Sequence, residues 1–292
     1  MSAFEFGAPK FVLLWTDGAI WLLVAALAAY AVMVARKPQL AATWGRVFRD
    51  APALASSVVL ALCLGVTLLD SVHYRPALPP VPGQGAQALA FDVNTRSVLD
   101  ALLWQLAASR ESTYSRPLAS ESFTKESVLV GGRTERRAPR LLHGGAHLKD
   151  RATEAAADIL RRAALGAGAG LLASLALGLT LCAWAAWRPR QPVRVVAARA
   201  WAGQGGLPWK VATGTFTALA VLAGFCAALS TGYHVLGTDQ TGNDVLYQAL
   251  KSVRTAFVIG TLTTLTTLPL AVGLGIAAGY RRGWVDAVVQ YV

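Results

Sequence analysis

Five long apolar runs punctuate the chain: Phe11 to Val34, about Ala53 to Leu69, about Ala163 to Trp187, about Val211 to Leu229 and about Thr255 to Tyr280. Each has the length of a helix that crosses a hydrocarbon core, the second being at the short end of that range. Positive charge follows the first, third and fifth runs. Arg36, Lys37, Arg46 and Arg49 come after the first; Arg188, Arg190, Arg194, Arg199 and Lys210, with no acidic residue among them, after the third; Arg281 and Arg282 after the fifth. The bias predicts an outside N-terminus and cytoplasmic basic loops. The third-run charges equally suit anionic lipid heads. Trp44 and Phe48 in the first basic loop predict a short interfacial helix, and Pro52 suits the first turn of the second span. A cleavable signal is the competing reading of the first run, since Ala26-Leu-Ala28 looks like a processing site. The run is too long for that, lacks a basic leader and is followed by its charges, so a retained span is expected.

Between the second and third runs, residues 70–162 change to a soluble composition. Pro76, Pro79, Pro80 and Pro82 with Gly83 and Gly85 predict an extended, flexible exit. Thr95 to Ala108 reads as one amphipathic helix, with Val98, Leu99, Leu102, Leu103 and Leu106 on its apolar side. A strand is expected at Ser127 to Val130, stopped by Gly131-Gly132. Asp150 is placed to cap a helix from Arg151 towards the membrane. Large apolar residues are too few for an independent core, so the insert should pack on the membrane region or on a partner.

Composition agrees with the pattern. Of 292 residues, 54% are hydrophobic and 15% charged, and the mean hydropathy is +0.45, as expected of a membrane protein. The net charge of +11 lies largely in short loops beside apolar runs, which favours topology over nucleic-acid binding. Cys63, Cys182 and Cys226 fall inside expected spans without metal-ligand spacing and read as packing residues.

The last fifth of the chain carries the most specific signal. His234-Val-Leu-Gly-Thr-Asp-Gln-Thr-Gly-Asn-Asp-Val-Leu is followed by Lys251-Ser-Val-Arg254, a span, and Gly279-Tyr-Arg-Arg-Gly-Trp-Val-Asp286. Gly237 and Gly242 permit a turn, and Thr238, Asp239, Thr241 and Asn243 can bond their own backbone. Asp244 is expected in the first helical turn. Val245, Leu246, Ala249, Leu250 and Val253 share a face opposite Gln248, Lys251 and Arg254, which predicts a short helix in the membrane interface, with Tyr247 suited to that depth. The stretch resembles the inner-membrane permease subunits of bacterial ABC importers of the dipeptide, oligopeptide and nickel class. In that family a periplasmic "LGTD..GRDV" segment precedes a span ending in a "GWVD"-like sequence. Leu236, Gly237, Thr238, Asp239, Gly242, Asp244 and Val245 match the first part, Arg254 a later arginine, and Gly283, Trp284, Val285 and Asp286 the second. Asn243 and Ser252 depart from the usual arginine and glycine.

Other motifs compete less well. Gly237-x4-Gly242 has phosphate-loop spacing but continues with Asn243 and Asp244, whose carboxylate repels phosphate. Asp239, Thr241 and Asn243 are similar to a calcium loop, yet the glycine is misplaced and Leu250 stands where a bidentate Glu belongs. His143 and His147, with His73 and Asp150 in the same region, invite a metal reading. Gly144-Gly145 between them weakens the helix that would align them, and no metal is expected. No nucleophile sits in a recognisable elbow. Thr261, Thr263, Thr264, Thr266 and Thr267 before Pro269 either line a polar path or bond carbonyls one turn back. Gly166-x3-Gly170, Gly178 and Gly275-x3-Gly279 predict close helix approach. Spans two and four show only a weak likeness to each other.

The expected molecule is an all-α polytopic membrane protein with about five transmembrane helices and a periplasmic α or α+β insert. Its regions are 1–69 with two spans, 70–162 the insert, 163–230 with two spans and a basic cytoplasmic loop, and 231–292 the start of a permease core. The resemblance implies a non-enzymatic, cofactor-free permease subunit in the bacterial inner membrane, moving peptides or a similar small solute. Its partners would be a second permease subunit, cytoplasmic ATPase subunits and a periplasmic solute-binding protein. Gly237 to Asp244 would shape the periplasmic entrance. Family members continue beyond "GWVD" with further spans and an ATPase-docking loop, so a C-terminally truncated or split permease is expected here. The alternative is a membrane-anchored periplasmic binding or assembly module; a hydrolase acting through insert serines or histidines is a weaker third.

Overall fold

The five apolar runs form five long helices in the computed structural model, which describes residues 9–78, 91–130, 133–187, 191–203 and 206–280 together with 283, 284, 287 and 289. Residues Pro79, Pro80, Pro82, Gly83, Gly85, Gly131, Gly132, Arg188, Arg190, Arg281, Arg282, Val285 and Asp286, all used in the sequence reading, lie outside the described residues. Helix α1 (Trp15–Arg36) leads through α2 (Pro38–Arg49) to α3 (Ala51–Asp70), with proline at the start of α2 and α3, where a missing N–H costs nothing. The amphipathic α2 thus packs on both α1 and α3, which it joins. At 22 residues α1 is about 33 Å long, enough to cross a bilayer core.

Phe11 and Val12, expected at the start of the first span, lie instead in β1 (Lys10–Val12). This strand pairs antiparallel with β2 (His73–Arg75), Phe11 facing Tyr74, and β2 pairs with β3 (Arg96–Ser97). The ladder satisfies backbone groups of a segment that arrives beside the end of α3, and α1 begins only at Trp15.

The single helix expected over Thr95 to Ala108 is two short ones, α4 (Val98–Leu102) and α5 (Trp104–Ala108). Its first residues belong to β3, and Leu103, at φ −100° and ψ 24°, breaks the helical path. Ser97 starts α4 with a reciprocal cap: its hydroxyl accepts from Asp100 N–H at 3.1 Å while the Asp100 carboxylate accepts from Ser97 N–H at 2.9 Å. The expected strand is β4 (Glu126–Val130), paired antiparallel with β5 (Arg133–Arg137).

Helix α6 (Arg151–Trp187) follows, with Asp150 accepting from the Thr153 hydroxyl at 2.9 Å at its start. Helix α7 (Val193–Trp201) and α8 (Trp209–Ser230) lead to α9 (Val245–Tyr280). At 36 and 37 residues, α9 and α6 are each about 55 Å long, well beyond the hydrocarbon thickness. The short interfacial helix expected before the fifth span is thus no separate element. Nothing between Val245 and Thr255 breaks the backbone ladder, so both continue as one helix with Pro269 inside it.

Helices α6 and α8 form the most intimate pair. A Cβ on Gly166 or Gly224 would overlap the other residue's carbonyl oxygen, and one on Gly170 the carbonyl of Ala220. Small residues allow this backbone approach. Gly178, Gly275 and Gly279 have nothing within 4 Å, so the close approach expected through Gly275 and Gly279 is not made here. Helix α3 packs on both α8 and α9, and α1, α3 and α9 surround an apolar groove of about 750 Å³ lined by Leu23, Leu60, Phe257 and Leu265 among others. The five threonines from Thr261 to Thr267 all bond carbonyls one turn back, Thr263 to Ile259 O at 2.7 Å for example. They supply no separate polar path.

Candidate functional site

After α8 the chain turns through residues 231–244 and re-enters helix at Val245. Gly237 and Gly242 have φ of 78° and 77°, the left-handed region that a side chain resists. Between them Asp239 organises the turn. Its Oδ1 accepts from Thr241 N–H at 2.8 Å, the Thr241 hydroxyl at 2.8 Å and Asn243 N–H at 2.9 Å, and its Oδ2 from Gln248 Nε2 at 2.5 Å. The Gln248 bond, with those of Asn243 and Thr241, holds this carboxyl down to about 2 against the opposing effect of burial. Asp244, expected in the first helical turn, is the residue just before it. A bridge to Thr238 keeps it extended, and its Oδ1 caps the helix by accepting from Tyr247 N–H at 3.1 Å.

The insert clamps this loop. Glu111 N–H donates to Gly242 O at 2.8 Å, Leu118 N–H to His234 O at 2.9 Å, Gly145 N–H to Gly232 O at 2.8 Å, and the Thr238 hydroxyl to Thr113 O at 2.8 Å. The approach is so close that a Cβ on Gly242 would overlap the Glu111 carbonyl, and one on Gly237 that of Ser115. At the centre lies His234, 2% exposed, with Nδ1 2.7 Å from Asp244 Oδ2 and Nε2 3.3 Å from Glu111 Oε1. Glu111 also accepts from the backbone N–H groups of Leu142 at 2.8 Å, His143 at 2.7 Å and Gly144 at 3.3 Å. Burial alone would lower the His234 pKa, but Asp244 and Glu111 outweigh it and raise it. For Glu111 burial acts upward, and the three N–H donors with His234 bring the net shift down. The result is a buried carboxylate–imidazole–carboxylate latch between insert and loop.

A second cluster braces the first turns of α9. Lys251 Nζ lies 2.8 Å from Asp100 Oδ1 and 3.8 Å from Asp70 Oδ1, and the Tyr247 hydroxyl donates to Asp100 Oδ1 at 2.6 Å. Arg254 pairs with Asp17 and donates to the Thr16 hydroxyl at 2.7 Å, its Nη1 being 3.8 Å from Asp70 Oδ2. His73 Nδ1 is 2.8 Å from the same Asp17, and the Ser97 hydroxyl donates to Asp70 at 2.7 Å. Burial raises the Asp100 pKa, but Lys251, the Ser97 N–H and Tyr247 bring the net shift down. Lys251 and Arg254, expected on the polar face of an interfacial helix, are thus turned onto carboxylates of α1, α3 and α4. Being buried, Asp17 and Asp70 need those cations.

The remaining candidates are partly scattered. His147 Nε2 lies 2.7 Å from Asp158 Oδ2 and 3.2 Å from Arg162 Nη2, whereas His143 Nδ1 is 3.7 Å from Glu111. Each histidine turns to a different carboxylate, and no group of three or more His, Cys, Asp or Glu among the described residues is placed to hold a metal. Gly283 and Trp284 stand beyond the end of α9, Gly283 at φ 113° and Trp284 exposed, with none of the first motif beside them. Between α5, residues 142–146 and the turn after α8 lies a cleft of about 360 Å³, bordered by Trp104, Gln105, His143, Thr231, Tyr233 and His234. Glu111, His234, Lys251, Asp17, Asp70 and Asp100 were not among the site residues drawn from the sequence. Asp17 had a usable signal, a lone acid in an apolar run.

Curated proteins that match the chain locally include two transport-system permeases. Over 64 residues it is 39% identical to the "Oligopeptide transport system permease protein OppC" of Lactococcus lactis subsp. cremoris, covering 22% of this chain and 21% of that one. Over 59 residues it is 30% identical to the "Glutathione transport system permease protein GsiD" of Pectobacterium atrosepticum, covering 20% of each. Both relatives are permeases. The likeness to permeases is confined to these short stretches, in a chain with five helices long and apolar enough to cross a membrane. The chain spans about a fifth of the length of these curated relatives. No family profile matches the chain, and no solved structure does.

Proposed function

We propose that the chain is a membrane-spanning permease subunit of an ABC importer that moves peptides or a similar small solute across the bacterial inner membrane. On this reading the N-terminus and residues 70–162 face the periplasm. Gly237, Thr238, Asp239, Gly242 and Asp244 shape the entrance, and Arg254 anchors the helix behind it. Gly283, Trp284 and Asp286 mark the cytoplasmic return of that helix. A second permease subunit completes the pathway, cytoplasmic ATPase subunits hydrolyse ATP, and a periplasmic solute-binding protein delivers the solute. This chain itself performs no covalent chemistry.

The observation that supports the reading best is the local identity to two permeases in a chain whose signature loop is held in one shape. Asp239 and Asp244 spend their acceptor capacity on the loop itself, on the first turns of α9 and on His234, which is the behaviour of groups that build an entrance. The test is uptake of a labelled oligopeptide by cells carrying the intact system. Asp239→Ala and Asp244→Ala should abolish uptake, whereas replacing the β4–β5 hairpin, residues 125–138, by a short glycine-serine link should leave it. A larger deletion is a poor test, because residues 81–147 include Asp100 and Glu111, which brace the signature. Uptake that survives both substitutions while the hairpin deletion abolishes it would favour an anchored periplasmic module instead.

A further inference from the structure

At the end of the bundle opposite the insert, two amphipathic helices present a field of unpaired positive charge. In α2, Leu40, Trp44, Val47 and Phe48 share one side, while Arg46 and Arg49 lie on the other. In α7, Val193, Val196, Ala197 and Ala200 share a side, and Arg194 and Arg199 flank it. No residue of either helix is buried. The two helices serve one surface, since the segment joining α7 to α8 reaches α2: a Cβ on Gly206 would stand 3.4 Å from Arg49 Nε.

Arg36, Lys37, Arg46, Arg49, Arg194, Arg199 and Lys210 are all exposed, and among the described residues none forms an ion pair with a carboxylate. Arg199 donates to Gln191 at 2.9 Å and Lys210 lies 5.7 Å from the Trp201 ring centre; Asp50 is the single acid within residues 36–50. At the junction of the insert with α6 and α9, by contrast, Lys251, Arg254 and Arg162 are each matched to carboxylates. Aromatic rings mark the same level. Trp44 donates to the Tyr30 hydroxyl at 3.1 Å and stacks near Phe48, while Trp201 and Trp209 are exposed. An amphipathic helix with rings on one side and arginines on the other lies in the plane where acyl chains meet headgroups.

We propose that α2, α7 and the start of α8 form a docking surface for anionic phospholipid headgroups of the adjacent leaflet. Arg46, Arg49, Arg194 and Arg199 hold the phosphates, and Trp44 and Trp201 set the depth. Charge complementarity selects this occupant: the surface offers seven cations at the rim of apolar helices, and guanidinium forks match phosphate oxygens in pairs. The inference stands independently of whether the chain transports anything.

The test uses the full chain in phosphatidylcholine bilayers carrying either spin-labelled phosphatidylglycerol or spin-labelled phosphatidylcholine. The native protein should hold the anionic probe roughly tenfold more strongly than the zwitterionic one. The variant R46Q/R49Q/R194Q/R199Q should bring that ratio close to one. A control, K125Q/R136Q/R140Q/K149Q, removes four exposed charges from the insert and should keep the native ratio. Equal association of both probes with the native protein, an unchanged ratio in the first variant, or an equal loss in the control would each overturn the proposal. Should the first variant not fold, the native protein still decides, because high salt must erase the preference if phosphate charge carries it. Displacement of the anionic probe by millimolar inorganic phosphate at constant ionic strength would reassign the surface to a soluble anion.

Discussion

Replacing Glu111 by Gln should open the junction between insert and signature loop. The side chain keeps its size, but one carboxylate oxygen becomes an NH2 group. Oε2 now accepts from Leu142 N–H, and Oε1 from His143 N–H, Gly144 N–H and His234. Whichever oxygen is lost, a buried donor then faces a donor. Hydrogen bonds to a charged acceptor contribute about 1.5–3 kcal/mol each, and an unsatisfied buried donor costs a comparable amount. A loss of about 3 kcal/mol is expected, which raises the opening equilibrium roughly 150-fold. Hydrogen exchange at the amides of Leu142, His143 and Gly144 reads that opening directly. Exchange as slow as in the native protein would refute the reasoning. The latch should also respond to pH. His234 is raised above its ordinary value of 6.5, so its contribution is complete below about that pH and fades as pH climbs through the folded value. Glu111 is lowered from 4.5, so its contribution is complete above that and fades as pH falls through the folded value. The amides should be best protected between about pH 5 and 6; His143 Nδ1, 3.7 Å from Glu111 Oε1, faces the same carboxylate. In Glu111→Gln the high-pH loss should begin earlier, because His234 keeps only Asp244.

Gly242→Ala should cost at least about 2 kcal/mol, since it forces a side chain into a left-handed backbone and against the Glu111 carbonyl; thermal unfolding in detergent would show it. Arg254→Gln alone should cost about 3–5 kcal/mol by leaving Asp17 buried beside an uncharged amide, and Asp17→Asn in the same chain should recover part of that loss; simple additivity in a double-mutant cycle would argue against the pair. Gly170→Ala should push α6 from α8 and destabilise, whereas Gly178→Ala on the same helix, with open space around it, should stabilise by about 0.5–1 kcal/mol; equal effects in unfolding midpoints would contradict the packing. Thr263→Val and Thr266→Val should leave uptake unchanged, because both hydroxyls are engaged within α9.

The spans were legible because their signal is local: each apolar run carries its own helix, and Pro52 announces where one of them begins. Asp239 and its glycines were legible as a turn for the same reason, every partner of the Asp239 carboxylate lying within nine residues. What joins the elements was not legible. Asp17 and Arg254 are 237 positions apart, and Glu111 and His234 are 123 apart. Nothing in either neighbourhood names the other. Leu103 illustrates a subtler loss, since the apolar rhythm continues through it while the capping of Ser97 and the sheet before it decide where the helical path breaks. Lys251 and Arg254 were read only as the polar face of an interfacial helix, because periodicity reports which side is polar and is silent about what covers that side.

Helix α9 has a mechanical consequence. From Val245 to Leu268 it is an unbroken rod about 36 Å long, and Pro269 then interrupts its hydrogen-bond ladder. The clamp on its first turns, through Asp244, Asp100 and Asp17, sits at one extremity of that rod. A tilt of about 10° pivoting at Arg254 displaces Pro269 by about 4 Å, since 15 residues of helix separate them at 1.5 Å each. The carboxylates therefore hold the short arm of a lever whose long arm runs through the apolar layer, with the proline as its joint.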